Sequence, residues 1–126
     1  MAGLQLDGAG QAKYDTLQWA LTMHQRLHGQ VETYAVGVKN NKPEASILNN
    51  IKRNLPVMAA KLKGQFGMVS DLVTAVYAGA SRGASEQMRV RGLREGMAAI
   101  KMQLDIAVTA VINKHEKVKE KAPSKD

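Results

Sequence analysis

The chain contains no cysteine, and this absence excludes several kinds of site. Disulfides, thiolate metal centres and a cysteine nucleophile all need a residue that none of the 126 positions supplies. Aromatic residues make up only 4% of the chain, whereas methionine occurs seven times. A core poor in rings and rich in leucine, valine, alanine and methionine favours helices packed on helices over a β-sandwich.

Long apolar runs are also missing. None approaches the roughly 18–20 residues that a membrane-spanning helix needs. The N-terminus has neither the basic region nor the apolar region of a secretory signal. We therefore expect a cytoplasmic protein without membrane contact.

Three stretches carry the apolar period of an amphipathic helix, with apolar residues recurring at steps of three and four. The first is predicted to begin near Gln11 and to end near Pro43. The second runs from about 43 to 77 and contains Pro56, which predicts either two helices, near 43–54 and 56–78, or one helix bent at 54–56. The third, from about 84 to 119, is the longest segment that no proline interrupts and is predicted to organise the fold.

These stretches predict an all-α fold, an antiparallel bundle of three to four long helices with short connections. A single helical domain is expected over 11–119. Residues 1–10, with Gly8 and Gly10, are expected to form a flexible N-terminal arm, and residues 120–126 a disordered C-terminal tail.

The formal net charge is +7, and most of it lies in the middle of the chain. Between Lys52 and Lys101 there are nine basic residues against three acidic ones, which accounts for +6 of the total. Such a basic belt favours a polyanionic partner, and a solvated surface that is basic without function is the alternative. The candidate nucleic-acid-binding residues are Lys52, Arg53, Lys63, Arg82, Arg89, Arg91, Arg94 and Lys101.

The expected mode of binding follows from the spacing of these basic residues and from the scarcity of aromatic residues. Arg91, Arg94 and Lys101 are spaced to share one helix face, and Lys52 and Lys63 lie on the preceding helical stretch. If the two stretches are neighbours, their polar faces line a groove that follows a phosphate backbone. Because aromatic residues for base stacking are scarce, we expect sequence-independent contact with the backbone, of RNA or DNA.

No constellation of residues indicates catalysis, a cofactor or a phosphate-binding glycine loop, so we expect a protein that is not an enzyme. His24 and His28 have the spacing of two zinc ligands on one helix turn, with His115 or Glu32 as a third candidate. Both fall on the apolar stripe, however, which favours packed imidazoles over a metal site.

Ala60-Lys61-Leu62-Lys63-Gly64 resembles the His-x-Leu-Lys-Gly signature of the histidine-phosphotransfer domains of bacterial signalling, which are helical bundles. Ala60 stands where that family has its phosphorylated histidine. The resemblance implies a member unable to carry a phosphoryl group, with receiver domains as its partners.

Two function hypotheses follow. The first is a non-enzymatic basic helical module that contacts nucleic-acid backbone as a small subunit of a larger nucleoprotein assembly. In size and character the chain is similar to the small helical subunits of CRISPR effector complexes, which would imply an antiviral defence role. The alternative is a protein-interaction bundle, either the phosphotransfer-like module or an oligomeric scaffold subunit, and self-association is compatible with both.

Overall fold

The computed structural model describes residues 5–82 and 85–116. Four helices make up this part of the chain: α1 Gly8–Lys39, α2 Ala45–Lys63, α3 Gly67–Ser81 and α4 Glu86–His115. No strand occurs in it beyond an isolated antiparallel bridge between Leu6 and Glu116. The predicted all-α class is therefore confirmed. The predicted tail at 120–126 lies outside the described residues.

The helices pack in a ring. α1 packs against α2 and α4, and α3 packs against the same two helices. Within the described residues α2 and α4 make no close backbone approach, so they are diagonal to one another. The apolar stripes of all four helices point into the ring, and each fully buried large side chain contributes about 1.5–3 kcal/mol of transfer free energy. The largest of them are Tyr34, Leu17, Leu27, Ile51, Leu55, Met58, Leu62, Leu93, Met97, Ile100, Leu104 and Val31.

The helix division that the sequence predicted at Pro56 is wrong. α2 continues through Pro56, whose ring is exposed, and the chain breaks instead at 64–66. A proline in a helix removes one hydrogen bond and crowds the preceding turn, but burial of the flanking Leu55 and Met58 outweighs that cost. At the break, the buried Ser70 hydroxyl donates to the Ala59 carbonyl at 2.8 Å and ties α3 to α2.

α1 begins at Gly8, three residues before the predicted start near Gln11, because Asp7 caps it. The Asp7 Oδ1 accepts a hydrogen bond from the Gly10 N–H at 2.7 Å, which satisfies one of the free donors of the first turn. Residues 8–10, expected in a loose arm, are thus the first turn of the helix. The Asp7 N–H also donates to the His115 carbonyl at 3.1 Å, which brings the start of α1 to the end of α4.

α1 ends at Lys39 in a Schellman motif, shortly before Pro43, where the sequence predicted its end. Asn41 takes a φ of 59°, a left-handed conformation that asparagine tolerates better than most residues. The Lys42 N–H donates to the Gly37 carbonyl at 2.7 Å and the Asn41 N–H to the Val38 carbonyl at 3.1 Å. α2 then begins at Ala45.

Gly96 marks the closest approach of α3 to α4. A Cβ added at Gly96 would lie 2.6 Å from the Val76 Cγ2 and 2.8 Å from its Cγ1, so only glycine fits without a shift. A Cβ added at Gly92, one turn earlier, would meet no atom within 4 Å. The two glycines of α4 therefore have different roles.

Candidate nucleic-acid interface

The eight predicted basic residues do not converge on one surface. Lys52, Arg53 and Lys63 lie on α2, whereas four of the remaining five lie on α4. Because α2 and α4 are diagonal in the ring, their polar faces cannot line a common groove, and the predicted groove between the two stretches is wrong. The error follows from the break at 64–66, which inserts α3 between them.

Arg89 closes the connection between α3 and α4. Its side chain is only 13% exposed. Its Nε donates to the Ala80 carbonyl at 3.1 Å, and its Nη2 donates to the Arg82 carbonyl at 3.1 Å. Its Nη1 lies 3.4 Å from a carboxylate oxygen of Glu86, which also accepts from the Tyr34 hydroxyl. The guanidinium thus binds the carbonyls at the end of α3 and presents little surface to a ligand.

Arg94 pairs across the α1–α4 boundary. Its Nε and Nη2 donate to the two carboxylate oxygens of Glu32 at 3.0 and 2.7 Å. These hydrogen bonds from Arg94 lower the pKa of the Glu32 carboxyl. Both side chains remain about half exposed, and an exposed pair of this kind contributes only about 0–1 kcal/mol. A phosphate can therefore compete with Glu32 for the guanidinium.

Lys101 forms a similar local pair, with its Nζ 2.7 Å from the Asp105 Oδ2 one turn along α4. On α2, the Arg53 Nη1 donates to the Asn50 Oδ1 at 3.3 Å. Lys63 is exposed in the last turn of α2, and Arg82 is exposed at the end of α3. These residues stand apart from Arg91 and Arg94.

An open groove runs between the C-terminal half of α1 and the N-terminal half of α4, with a volume of about 620 Å³. Its floor is apolar, formed by Ala35, Val38 and Val90, with the exposed Val36 at its side. Gln87 and Glu95 lie on its α4 side.

The rim of this groove is basic, and it carries Lys39, Arg91 and Arg94. Neither Lys39 nor Arg91 forms an ion pair within the described part of the chain. Lys39 was not among the predicted site residues because it lies outside the central belt. The signal that could have found it is its place in the last turn of α1, which lies beside the start of α4.

His24 and His28 stack on one another, with ring centroids 6.2 Å apart and planes 13° from parallel. His24 is buried, and its Nε2 lies 2.7 Å from the Met97 carbonyl oxygen. Burial lowers the pKa of His24, with its neighbour His28 adding a smaller repulsion, so a neutral imidazole donates this hydrogen bond. His28 is exposed.

Within the described part of the chain no third ligand joins these two histidines. His115 lies at the other end of α4 with its Nδ1 3.1 Å from the Asp7 Oδ1, and Glu32 is held by Arg94. Across residues 5–82 and 85–116 no group of three histidine, cysteine, aspartate or glutamate residues is placed to hold a metal ion. The packed-imidazole interpretation fits the buried His24 and not the exposed His28.

The segment that resembles the phosphotransfer signature lies at the end of α2. Ala60 is exposed, Leu62 is fully buried, and Gly64 caps the helix. The Lys61 Nζ lies 5.5 Å from the centre of the Trp19 ring, a cation–π contact between α2 and α1. Lys61 therefore has a packing role that its position alone did not indicate.

No helix in the described residues is both long and apolar enough to cross a membrane. Comparisons of the chain with protein-family models, with curated proteins and with solved structures found no match.

Proposed function

We propose that the chain is a non-enzymatic antiparallel four-helix bundle that contacts nucleic-acid backbone through the groove between α1 and α4. It would act in the cytoplasm as a small subunit of a larger nucleoprotein assembly, of the kind that CRISPR effector complexes represent. The observation that supports the proposal is the basic rim of Lys39, Arg91 and Arg94 above an apolar floor.

The composition of the groove suits a polynucleotide strand. Cations spaced along a groove neutralise successive phosphates, and their binding releases counterions whatever the base sequence. The exposed Val36 offers an apolar contact to sugars, while none of the groove's residues is an aromatic ring on which a base could stack. Contact is therefore expected with the backbone.

Glu32 is expected to tune this affinity. It holds the guanidinium of Arg94 in a bidentate pair, which a phosphate must displace in order to bind there. Glu32→Gln removes the competing charge without changing the shape of the side chain. This variant should bind polynucleotide more tightly than the original chain.

The test is binding of a labelled single-stranded 30-mer across a salt series. Three phosphates neutralised on a single strand predict a slope of log affinity against log salt of about −2. Lys39→Glu combined with Arg91→Glu should weaken binding of every base sequence and reduce the slope to about −0.7. Neither residue is in an internal ion pair, so the fold should survive, which circular dichroism checks.

A matched control changes the same charge at the other end of the bundle. Lys13→Glu combined with Lys114→Glu should leave both affinity and slope nearly as they were, because these residues lie where α1 begins and α4 ends. If the groove variant and the control weaken binding equally, net charge rather than the groove is responsible. If the original chain does not bind at low salt, the proposal fails.

The second candidate is a protein-interaction bundle. The observation that favours it is the outer surface of α4, where large apolar side chains are exposed: Met88 is 66% and Met102 60% accessible. Neither methionine lines the groove, so a protein contact on this surface leaves the apolar floor of the groove open.

A further inference from the structure

α4 carries a second apolar stripe on the side that faces away from the core. Three large side chains on this side are exposed: Met88 66%, Met102 60% and Ile106 54%. With the residues between them they form a row whose members are spaced alternately by four and three. We call this row the outer seam; it consists of Met88, Gly92, Glu95, Ala99, Met102, Ile106, Thr109 and Asn113.

Such spacing over more than three heptads is the pattern by which helices pair in a coiled coil. The seam is about 37 Å long at about 1.5 Å per residue. Its exposure is not explained by the fold, because the core is supplied from the opposite side of α4 by residues such as Leu93 and Ile100. Exposed large apolar side chains that recur at coiled-coil spacing on one face of a helix mark a place where another helix packs.

The surroundings of the seam are nearly neutral, although the chain carries +7. α3, which flanks the seam, has Asp71 as its only charged residue over Gly67–Ser81, and the exposed Arg82 that follows lies beside Met88 and Glu95. On the seam's other flank Arg91 and Asp105 have opposite signs. Two copies can therefore approach here without the repulsion that their basic grooves would produce.

We propose that this face pairs with the same face of a second copy, so that the two α4 helices pack antiparallel about a twofold axis near Ala98. In the register that sets residues 88–106 of the two seams against one another, Met88 packs against Ile106 of the second copy, and Thr109 and Asn113 lie beyond the paired part. Gly92 then receives Met102 of the second copy, a small residue opposite a large one. Glu95, the only charge within the seam, lies opposite the small Ala99.

The charges that border the seam fix this register. In an antiparallel helix pair, the residues that immediately precede the a positions of the heptad face one another across the interface. In the seam, Arg91 precedes Gly92 and Asp105 precedes Ile106 in this way. In the proposed register Arg91 faces Asp105 of the second copy, and the twofold axis repeats the pair. The Asp105 Oδ2 accepts from Lys101, and its Oδ1 has no hydrogen-bond partner within the described residues. Each guanidinium thus meets a carboxylate that retains an acceptor.

Self-complementarity is the reason to choose a second copy as the occupant. A parallel, in-register pairing would set Arg91 opposite Gly96 of the second copy and Asp105 opposite its Ala110, so that no two opposite charges would meet. The antiparallel pairing gives two Arg91–Asp105 contacts of opposite charge and sets the large Met102 of each copy against the small Gly92 of the other. A heterologous helix has no comparable support in these residues.

The experiment is sedimentation equilibrium of the full chain without nucleic acid, from micromolar concentrations to about 1 mM. We expect a monomer–dimer equilibrium. Met102→Glu should abolish the dimer, because it places a carboxylate at the centre of the seam. Val57→Glu is the matched control, since Val57 is 47% exposed on α2, the helix diagonal to α4, and the dimer should persist.

Charge exchange tests the register itself. Arg91→Asp and Asp105→Arg should each weaken the homodimer at least tenfold, because each variant sets like charges against one another twice. A mixture of the two single variants should form heterodimers, since both contacts are then between opposite charges. The double variant R91D/D105R should recover the homodimer for the same reason.

Several outcomes overturn the proposal. A chain that stays monomeric up to about 1 mM shows that a second copy does not occupy the seam, whose occupant must then be a helix of another protein. A dimer that Met102→Glu leaves intact uses another face. A dimer that forms but shows no recovery in the mixture has a different register. The outcomes for Met102→Glu and Val57→Glu are independent of the groove, because neither residue lines it, whereas the charge-exchange variants change Arg91, which does.

Discussion

Replacing either of the two glycines of α4 by alanine should change the free energy of unfolding differently, although the glycines lie one turn apart. Gly92 and Gly96 lie on the same helix, and alanine at either position gains the same helix propensity, about 0.5–1 kcal/mol. Only their surroundings differ. A Cβ at Gly92 meets open space, whereas a Cβ at Gly96 meets both Cγ atoms of Val76 at 2.6 and 2.8 Å.

The size of the clash decides the sign at Gly96. Val76 is β-branched and stiff about χ1, so its methyl groups cannot move aside by a small rotation. Forcing an additional methyl into a packed contact costs about 1–3 kcal/mol. Gly92→Ala should therefore raise the free energy of unfolding by about 0.5–1 kcal/mol. The free energy of unfolding of the Gly96→Ala variant should be about 1–3 kcal/mol lower than that of Gly92→Ala. The gain in helix propensity is the same in both variants and cancels in this difference.

Urea denaturation at micromolar concentration, below the expected self-association, measures both values. Val76→Ala provides the control, because it removes the two clashing atoms and leaves the Cβ, 3.2 Å from the added methyl. In that background the gap between the two alanine variants should shrink to less than about 1 kcal/mol. Equal stability of Gly92→Ala and Gly96→Ala in the original background would refute the close packing of α3 on α4 at Gly96.

Two further predictions concern stability. The Ser85 hydroxyl accepts a hydrogen bond from the Met88 N–H in the first turn of α4. Ser85→Ala should therefore lower the free energy of unfolding by about 1 kcal/mol, whereas Ser85→Asp should retain the cap. Urea denaturation of both variants measures the difference. His24 has a lowered pKa in the folded chain, so the unfolded state binds more protons below about pH 6.5. The free energy of unfolding should therefore fall as the pH drops from about 6.5 towards that lowered pKa. The His24→Gln variant, whose amide can still donate to the Met97 carbonyl, should show a smaller fall in urea titrations at several pH values.

Much of the fold was predictable because each helix carries its own periodic signal. On α4 the residues that recur at steps of three and four are buried, namely Leu93, Met97, Ile100, Leu104 and Val111, and Ala107 is partly buried. On α1 the stripe lies further to one side than the sequence indicated, because His28 is exposed, while Leu27 and Tyr34 are fully buried. Hydrophobic spacing indicates that a face exists more reliably than it indicates where the centre of that face lies.

The error in the second stretch has a different cause. Pro56 is a strong local signal for the end of a helix, and residues 64–66 are a weak one. The helix nevertheless continues through Pro56 and ends before Gly64. Tertiary contacts decide this, because Leu55 and Met58 are buried on either side of the proline, while the Ser70–Ala59 hydrogen bond needs a turn between α2 and α3. Neither contact can be read from local sequence.

The candidate site depended on this topology. Net charge and its location along the chain identified Arg91 and Arg94, but they did not reveal that α3 separates α2 from α4. Nor did they reveal that Arg89 is held by backbone carbonyls or that Glu32 holds Arg94. Glu32 and Arg94 are 62 positions apart and lie on different helices. Their pairing therefore cannot be predicted from the periodicity of either helix alone.

Arg91 borders both proposed surfaces, and this shared position couples them. It lines the groove with Lys39 and Arg94, and in the proposed dimer it faces Asp105 of the second copy. One guanidinium cannot fully satisfy a phosphate and that carboxylate together, so each contact should weaken the other by the same factor. Adding a 30-mer should shift the dimer towards monomer in sedimentation, and monomeric Met102→Glu should bind that strand with a salt slope steeper by about 0.7 than the dimer. Equal slopes would show that Arg91 serves only one of the two contacts, and Arg91→Asp, measured in both assays, would identify which one.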